Sequence, residues 1–168
     1  MAAVAVALAA GLAGMAARLS TGQLTDAATL ADHADASRRR VAPLARADAE
    51  SYGRVLEALR LPRDSETRTE RIRDALSGAA DVPLAVAEAG SEVADIAARL
   101  VEEGNPNLEG DAMTAVFLAN AGVHASAALA GINLSSADVQ DERLGRSREL
   151  VDQTAAAVRR ATEDPGRG

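Results

Sequence analysis

The chain has 168 residues, 48% of them hydrophobic but only 1% aromatic, with 25 acidic and 18 basic residues for a net charge of −7. That length suits one domain with a real core, and the acidic balance argues against a nucleic-acid binder, which normally shows a basic footprint. The absence of cysteine excludes a disulfide framework, a thiol nucleophile and a thiolate metal site.

Tyr52 and Phe117 are the lone aromatics, so the core must be built from Ala, Leu and Val. Alanine has the best intrinsic helix propensity, and β-branched residues are comparatively few, so the composition favours helix over strand. Small side chains each bury little area, at about 25 cal/mol per Å² of apolar surface. Such a core gains from a partner, and an oligomer is expected.

In chain order, residues 2–19 read as a helix hydrophobic on every side, hence central. No positive charge precedes this run, as a signal peptide requires. It is Ala- and Gly-rich rather than the roughly 20 strongly apolar residues of a membrane span. A buried bundle helix in a cytoplasmic protein, with no membrane partner, is the expectation. Ser20-Thr21-Gly22 ends it, and Thr25 or Asp26 can cap the next helix. The apolar positions Leu24, Leu30, Val41, Leu44, Tyr52, Val55, Leu56 and Leu59 suit a long amphipathic helix over 24–59, bent or interrupted at Pro43. Leu61-Pro62-Arg63-Asp64 is a turn, and a helix follows from Ser65 to about Ala79. Pro83 suits the first turn of a helix over 84–103. Gly104-Asn105-Pro106-Asn107 breaks it. Asp111 opens a helix to about Ile132, and Ser135 or Ser136 caps the last one, 137–161. The expected fold is all-α: a single antiparallel bundle of about six helices over 1–162, with a flexible tail over 163–168.

Recognisable catalytic fingerprints are absent, including a phosphate-cradling glycine loop, a nucleophile elbow and a His-Glu-x-x-His metal site. His33 and His124 lack a metal-ligand spacing, and no metal is expected. The cluster Arg38-Arg39-Arg40 reads as a solvated helix face. Polar residues in the apolar framework then become the candidates. The loop 104–111 offers Asn105 and Asn107 to a ligand. Asp111 is either an N-cap satisfying backbone N–H groups or a ligand-facing carboxylate. Asp48 and Tyr52, four apart, share a helix face. They are either a proton-transferring pair beside a ring site or an exposed Asp at the edge of a core tyrosine. Asn133 is either a helix stop or a ligand contact.

Taken together, Asp48-x-x-x-Tyr52, Arg60-Leu61-Pro62-Arg63, Ala80-Asp81-Val82-Pro83-Leu84-x-Val86-Ala87-Glu88, Gly104-Asn105-Pro106-Asn107 with Asp111, and Ile132-Asn133-Leu134 resemble the cyclodeaminase/cyclohydrolase family. The resemblance runs from the first helix to about Ser136, and the Gly-Asn-Pro-Asn loop with its Asp is its most specific part. Members usually carry a Pro-Gly-Gly-Gly-Ser turn and a helix before the Ala-rich first helix, and Met1 stands at about the point where that turn should have ended. Gly110 stands where the family commonly has Ser.

The resemblance implies a homodimer that binds a tetrahydrofolate derivative, as substrate, near a subunit interface. The reaction is either hydrolysis of 5,10-methenyltetrahydrofolate or cyclisation of 5-formiminotetrahydrofolate with loss of ammonia. It implies Asp111 as the proton-transferring or cation-stabilising carboxylate. Asp48 and Tyr52 would position water or the pterin, Asn105, Asn107 and Asn133 would shape the pocket, and Arg60 or Arg63 would pair with the glutamate tail. Two other readings stay open: a catalytically degenerate member that binds folate or only dimerises, and an unrelated helical interaction module.

Overall fold

A computed structural model describes residues 1–137 and 141–163. Among them are seven α-helices and one short 3₁₀ turn: α1 Ala2–Arg18, α2 Ala27–Val41, α3 Leu44–Leu59, α4 Arg68–Gly78, α5 Asp81–Glu103, the turn Pro106–Leu108, α6 Glu109–Ser136 and α7 Glu142–Thr162. The all-α expectation holds, with one helix more than the sequence suggests. Pro43 does not merely bend the helix over 24–59. It lacks an N–H and clashes with the preceding turn, so α2 ends at Val41 and α3 restarts behind Pro43 as its N-cap.

Helix ends differ from expectation for local reasons. Asp26 is the N-cap of α2, but its carboxylate turns away to α5, accepting two hydrogen bonds from Arg99 at 2.6 and 3.1 Å. That pairing lowers the Asp26 pKa. Pro83 does sit in the first turn of α5, where its missing N–H is no loss. Asn133 is not a helix stop, because α6 continues to Ser136. Neither Ser135 nor Ser136 caps α7. Asp141 does, its Oδ1 accepting from the Arg143 backbone N–H at 2.9 Å. The Arg143 guanidinium, together with that backbone N–H, holds the Asp141 pKa down to about 2. The predicted tail lies outside the described residues except for Glu163, which ends α7.

α1, α5 and α6 form the centre. Ala9, Ala10, Ala13, Ala16 and Ala17 of α1 mesh with Ala94, Ala97 and Ala98 of α5 and with Ala112, Ala115 and Ala119 of α6. α2 covers α1, and α7 lies across α5 and α6. Two glycines allow the tightest approach. A Cβ on Gly122 of α6 would meet Val6 Cγ2 of α1 at 2.5 Å, and one on Gly90 of α5 would meet Val123 Cγ2 at 2.6 Å. Val6 is fully buried in the notch these glycines leave.

α1 is not apolar-and-buried all round, as its sequence suggests. Val4, Leu8, Met15 and Leu19 are exposed. On α6, Phe117, Leu129 and Ile132 are exposed too. The helical run Pro106–Ser136 is long and apolar enough by composition to cross a bilayer, and 39% of its most apolar window is buried inside the bundle. α4 is the peripheral element. It packs on α3 and α6 and contributes no buried residue.

Candidate functional site

The polar candidates fall into two groups at opposite ends of α1. The first is the loop before α6. The Ser20 hydroxyl, at the C-terminal end of α1, donates to Ala16 O at 2.8 Å and accepts from the Asn105 N–H at 2.9 Å. The Asn105 side-chain amide donates to Leu19 O at 3.0 Å. Its Oδ1 accepts from both the backbone and side-chain N–H groups of Asn107, at 3.1 and 3.2 Å. Gly104 is required here because a Cβ would meet Leu100 O at 2.3 Å. The hydrogen-bonding atoms of Asn105 are therefore spent on clasping the α5–α6 joint to α1, and those of Asn107 partly on the same clasp.

Asp111 lies in the first turn of α6 but is not its N-cap. That position is Leu108, which has no side chain able to cap. Asp111 is half-buried, and its carboxylate makes no hydrogen bond or ion pair among the described residues. Its charge still complements the helix N-terminus.

The second group lies where the N-terminal turn of α1 meets α3, α5 and α6. Asp48 is half-buried and lines a small crevice with Ala2, Ala3, Pro83, Ser126 and Leu129. Tyr52, one turn further along α3, is 56% exposed. The reading of an exposed Asp beside a core tyrosine is thus reversed: the acid is the sheltered group and the phenol faces solvent. Asn133, further along α6, donates from its side chain to Ala79 O at 3.0 Å, satisfying a carbonyl at the end of α4.

Asp48 and Asp111 do not share one site within a chain. Ser126, which lines the Asp48 crevice, is fifteen residues along α6 from Asp111, about 22 Å at 1.5 Å per residue. Arg60 and Arg63 are exposed on the α3–α4 connection. They flank Leu61, which lines an open cleft of about 560 Å³ between α3 and α4. The cations in that cleft are Arg54 and Arg71, opposed by Glu57 and Asp74. No group of three or more metal-binding side chains occurs among the described residues.

Sequence reasoning missed Ser126 and Pro83 as partners of Asp48. A signal for Ser126 exists: it is a lone hydroxyl in the buried series Ala115, Ala119, Gly122, Ser126 and Ala130 of α6. The contribution of Pro83 is purely tertiary.

The sequence profile of the formiminotransferase-cyclodeaminase family matches residues 1–152. The methenyltetrahydrofolate cyclohydrolase of Methylorubrum extorquens is 33% identical over 123 residues, covering 69% of this chain and 59% of that protein. The chain therefore spans about three-fifths of the length of this curated relative. Among solved structures, a formiminotetrahydrofolate cyclodeaminase from Thermotoga maritima aligns with a TM-score of 0.77 at 24% identity, over 95% of this chain and 82% of that one. That likeness is one of fold.

Proposed function

Because the chain belongs to the formiminotransferase-cyclodeaminase family, we propose that it is a cytoplasmic enzyme of folate one-carbon chemistry that hydrolyses 5,10-methenyltetrahydrofolate. The observation that carries this reading is the half-buried Asp48 carboxylate in the crevice at the α1 end, with Tyr52 one turn away. Hydrolysis is chosen over ring closure because the cyclohydrolase relative is the more similar in sequence.

The chemistry needs a base and a surface for a planar ring. Water attacks the methenyl carbon, a C–O bond forms, and the C=N π pair moves onto nitrogen. Asp48 takes one water proton, which then leaves to solvent. The adduct collapses by breaking the bond from carbon to N5. N5 takes the hydroxyl proton, and the formyl group stays on N10. General-base help of this kind is worth about 10²–10⁴-fold. Tyr52 supplies an exposed ring against which a pterin can stack. Asn133, Arg60 and Arg63 remain candidates for positioning the substrate.

A homodimer is part of the proposal. Val4, Leu8 and Met15 of α1, Leu19 at its C-cap, and Phe117, Leu129 and Ile132 of α6 are exposed apolar side chains on the two helices that run between the two polar groups. A second copy packed antiparallel on these helices brings the Asn105–Asp111 end of one chain towards the Asp48 end of the other. In that arrangement Asp111 serves the site of the neighbouring copy.

The test follows methenyltetrahydrofolate absorbance with the purified full chain. Asp48→Asn and Asp111→Asn should each lower the rate by about 10²-fold or more. Mixing the two variants should restore part of it. Acceleration by neither wild type nor variants, with folate still bound, would point to a degenerate binding protein. Ammonia release from 5-formiminotetrahydrofolate without methenyl hydrolysis would reassign the reaction to cyclisation.

A further inference from the structure

Ser126 is 1% exposed, and its hydroxyl makes no hydrogen bond among the described residues. A serine inside a helix ordinarily turns its Oγ–H onto the carbonyl four residues back, as Thr154 and Ser147 of α7 do here, each at 2.8 Å. Ser126 makes no such bond to Gly122. An unpaired buried hydroxyl is costly, and native structures rarely keep one without a use. Ser126 lines the same crevice as Asp48, walled otherwise by apolar groups such as Val86 and Leu129.

The crevice leaves about 20 Å³ for the centre of a water-sized sphere. About 10–15 Å³ measured in this way is enough for one water, provided two to four polar partners surround it. Two such partners line it: Asp48 accepts, and Ser126 Oγ both donates and accepts. The space is too small for a ring or a carboxylate.

We propose that Ser126 is a positioning residue: its hydroxyl and the Asp48 carboxylate together hold a single water molecule at the α1 end of the bundle. Ser126 fixes the water oxygen while Asp48 receives its proton, so the pair presents an oriented nucleophile. The kinetic consequence rests on the methenyl hydrolysis proposed above. The water site itself does not.

Two measurements on the full chain decide it. In a high-resolution crystal structure, an ordered water is expected within about 3.2 Å of both Ser126 Oγ and an Asp48 carboxylate oxygen. A dry crevice with the hydroxyl rotated onto Gly122 O overturns the proposal, whether or not the protein is an active hydrolase. In the kinetic arm, Ser126→Ala should lower kcat by on the order of tenfold or more with KM within about twofold, since a misplaced nucleophile costs rate rather than affinity. Its melting temperature should not fall. A Ser126→Ala variant that melts higher and keeps its kcat would show the hydroxyl to be merely unpaired. A wild-type chain without turnover refutes the hydrolase reading and leaves the water site to the crystal structure.

Discussion

Gly122→Ala is the sharpest test of how the three central helices meet. On an ordinary helix position this substitution stabilises by about 0.5–1 kcal/mol, because glycine loses more backbone entropy on folding. At Gly122 the new Cβ would sit 2.5 Å from Val6 Cγ2, where ordinary contact is 3.4–4 Å. Val6 is fully buried, and its branched side chain has little rotamer freedom with which to retreat. Overpacking of this kind costs about 1–3 kcal/mol. The net expectation is a loss of about 1–2 kcal/mol. Gly131, on the same helix, supplies the control: a Cβ there meets nothing within 4 Å, so Gly131→Ala should gain about 0.5–1 kcal/mol. Val6→Ala removes the obstructing methyls and costs about 1.5 kcal/mol plus a cavity term. Added to Gly122→Ala it should recover most of the clash, giving a coupling of about 1–2 kcal/mol in a double-mutant cycle. Urea denaturation followed by circular dichroism, at one fixed protein concentration, reads all four variants. The reasoning fails if Gly122→Ala behaves like Gly131→Ala, or if the double variant is simply additive.

Other outcomes follow from the same contacts. Leu8→Glu or Ile132→Glu should convert a dimer to monomer in sedimentation analysis, with helicity unchanged, since each places a charge among the exposed apolar side chains of α1 and α6. Asn105→Ala removes the clasp on Leu19 O and the acceptor for Asn107, and should cost about 1–2 kcal/mol while speeding amide exchange in residues 104–108. The Asp141 carboxylate is held at about 2, below its ordinary 3.8, so its pairing with Arg143 stabilises the fold above that ordinary value and is lost as pH falls through about 2. The stability difference between wild type and Asp141→Asn should therefore be constant from neutral pH to about 4 and shrink from there towards 2. A difference that already changes between pH 7 and 5 would rule this pair out as its source.

Helix identity was legible because alanine content, apolar spacing and the breakers Pro43, Pro83 and Gly104 act locally. Pro43 interrupts the helix, one of the two outcomes the sequence allows, since whether a proline bends or ends a helix depends on whether packing repays the lost bond. Helix caps were harder. Asp26 has the right chemistry to cap α2, but a guanidinium on α5 takes its carboxylate. Asp141 caps α7 through a choice that Ser135 and Ser136 conceal in the sequence. Of the site, the spacing of Asp48 and Tyr52 gave a common face but reversed their exposure. Within one chain Asp48 and Asp111 lie apart, because one sits on α3 and the other in the first turn of α6, which carries their surroundings about 22 Å apart. Ser126 was visible only as a polar interruption of a buried series, which gains meaning once Asp48 is seen across from it.

α4 has a consequence of its own. With no side chain buried, it is held by Arg68 donating to Leu59 O and Leu61 O at its start, and by Asn133 and Arg143 donating to Ala79 O and Ser77 O at its end. Those are hydrogen bonds that water can replace, whereas α1, α5 and α6 are locked by apolar contact. α4 is thus the element that can leave while the rest stays folded. Its amides should exchange at a free energy well under that of global unfolding. A protease that nicks the native chain should then enter at residues 60–80, beside the cleft that α4 itself walls.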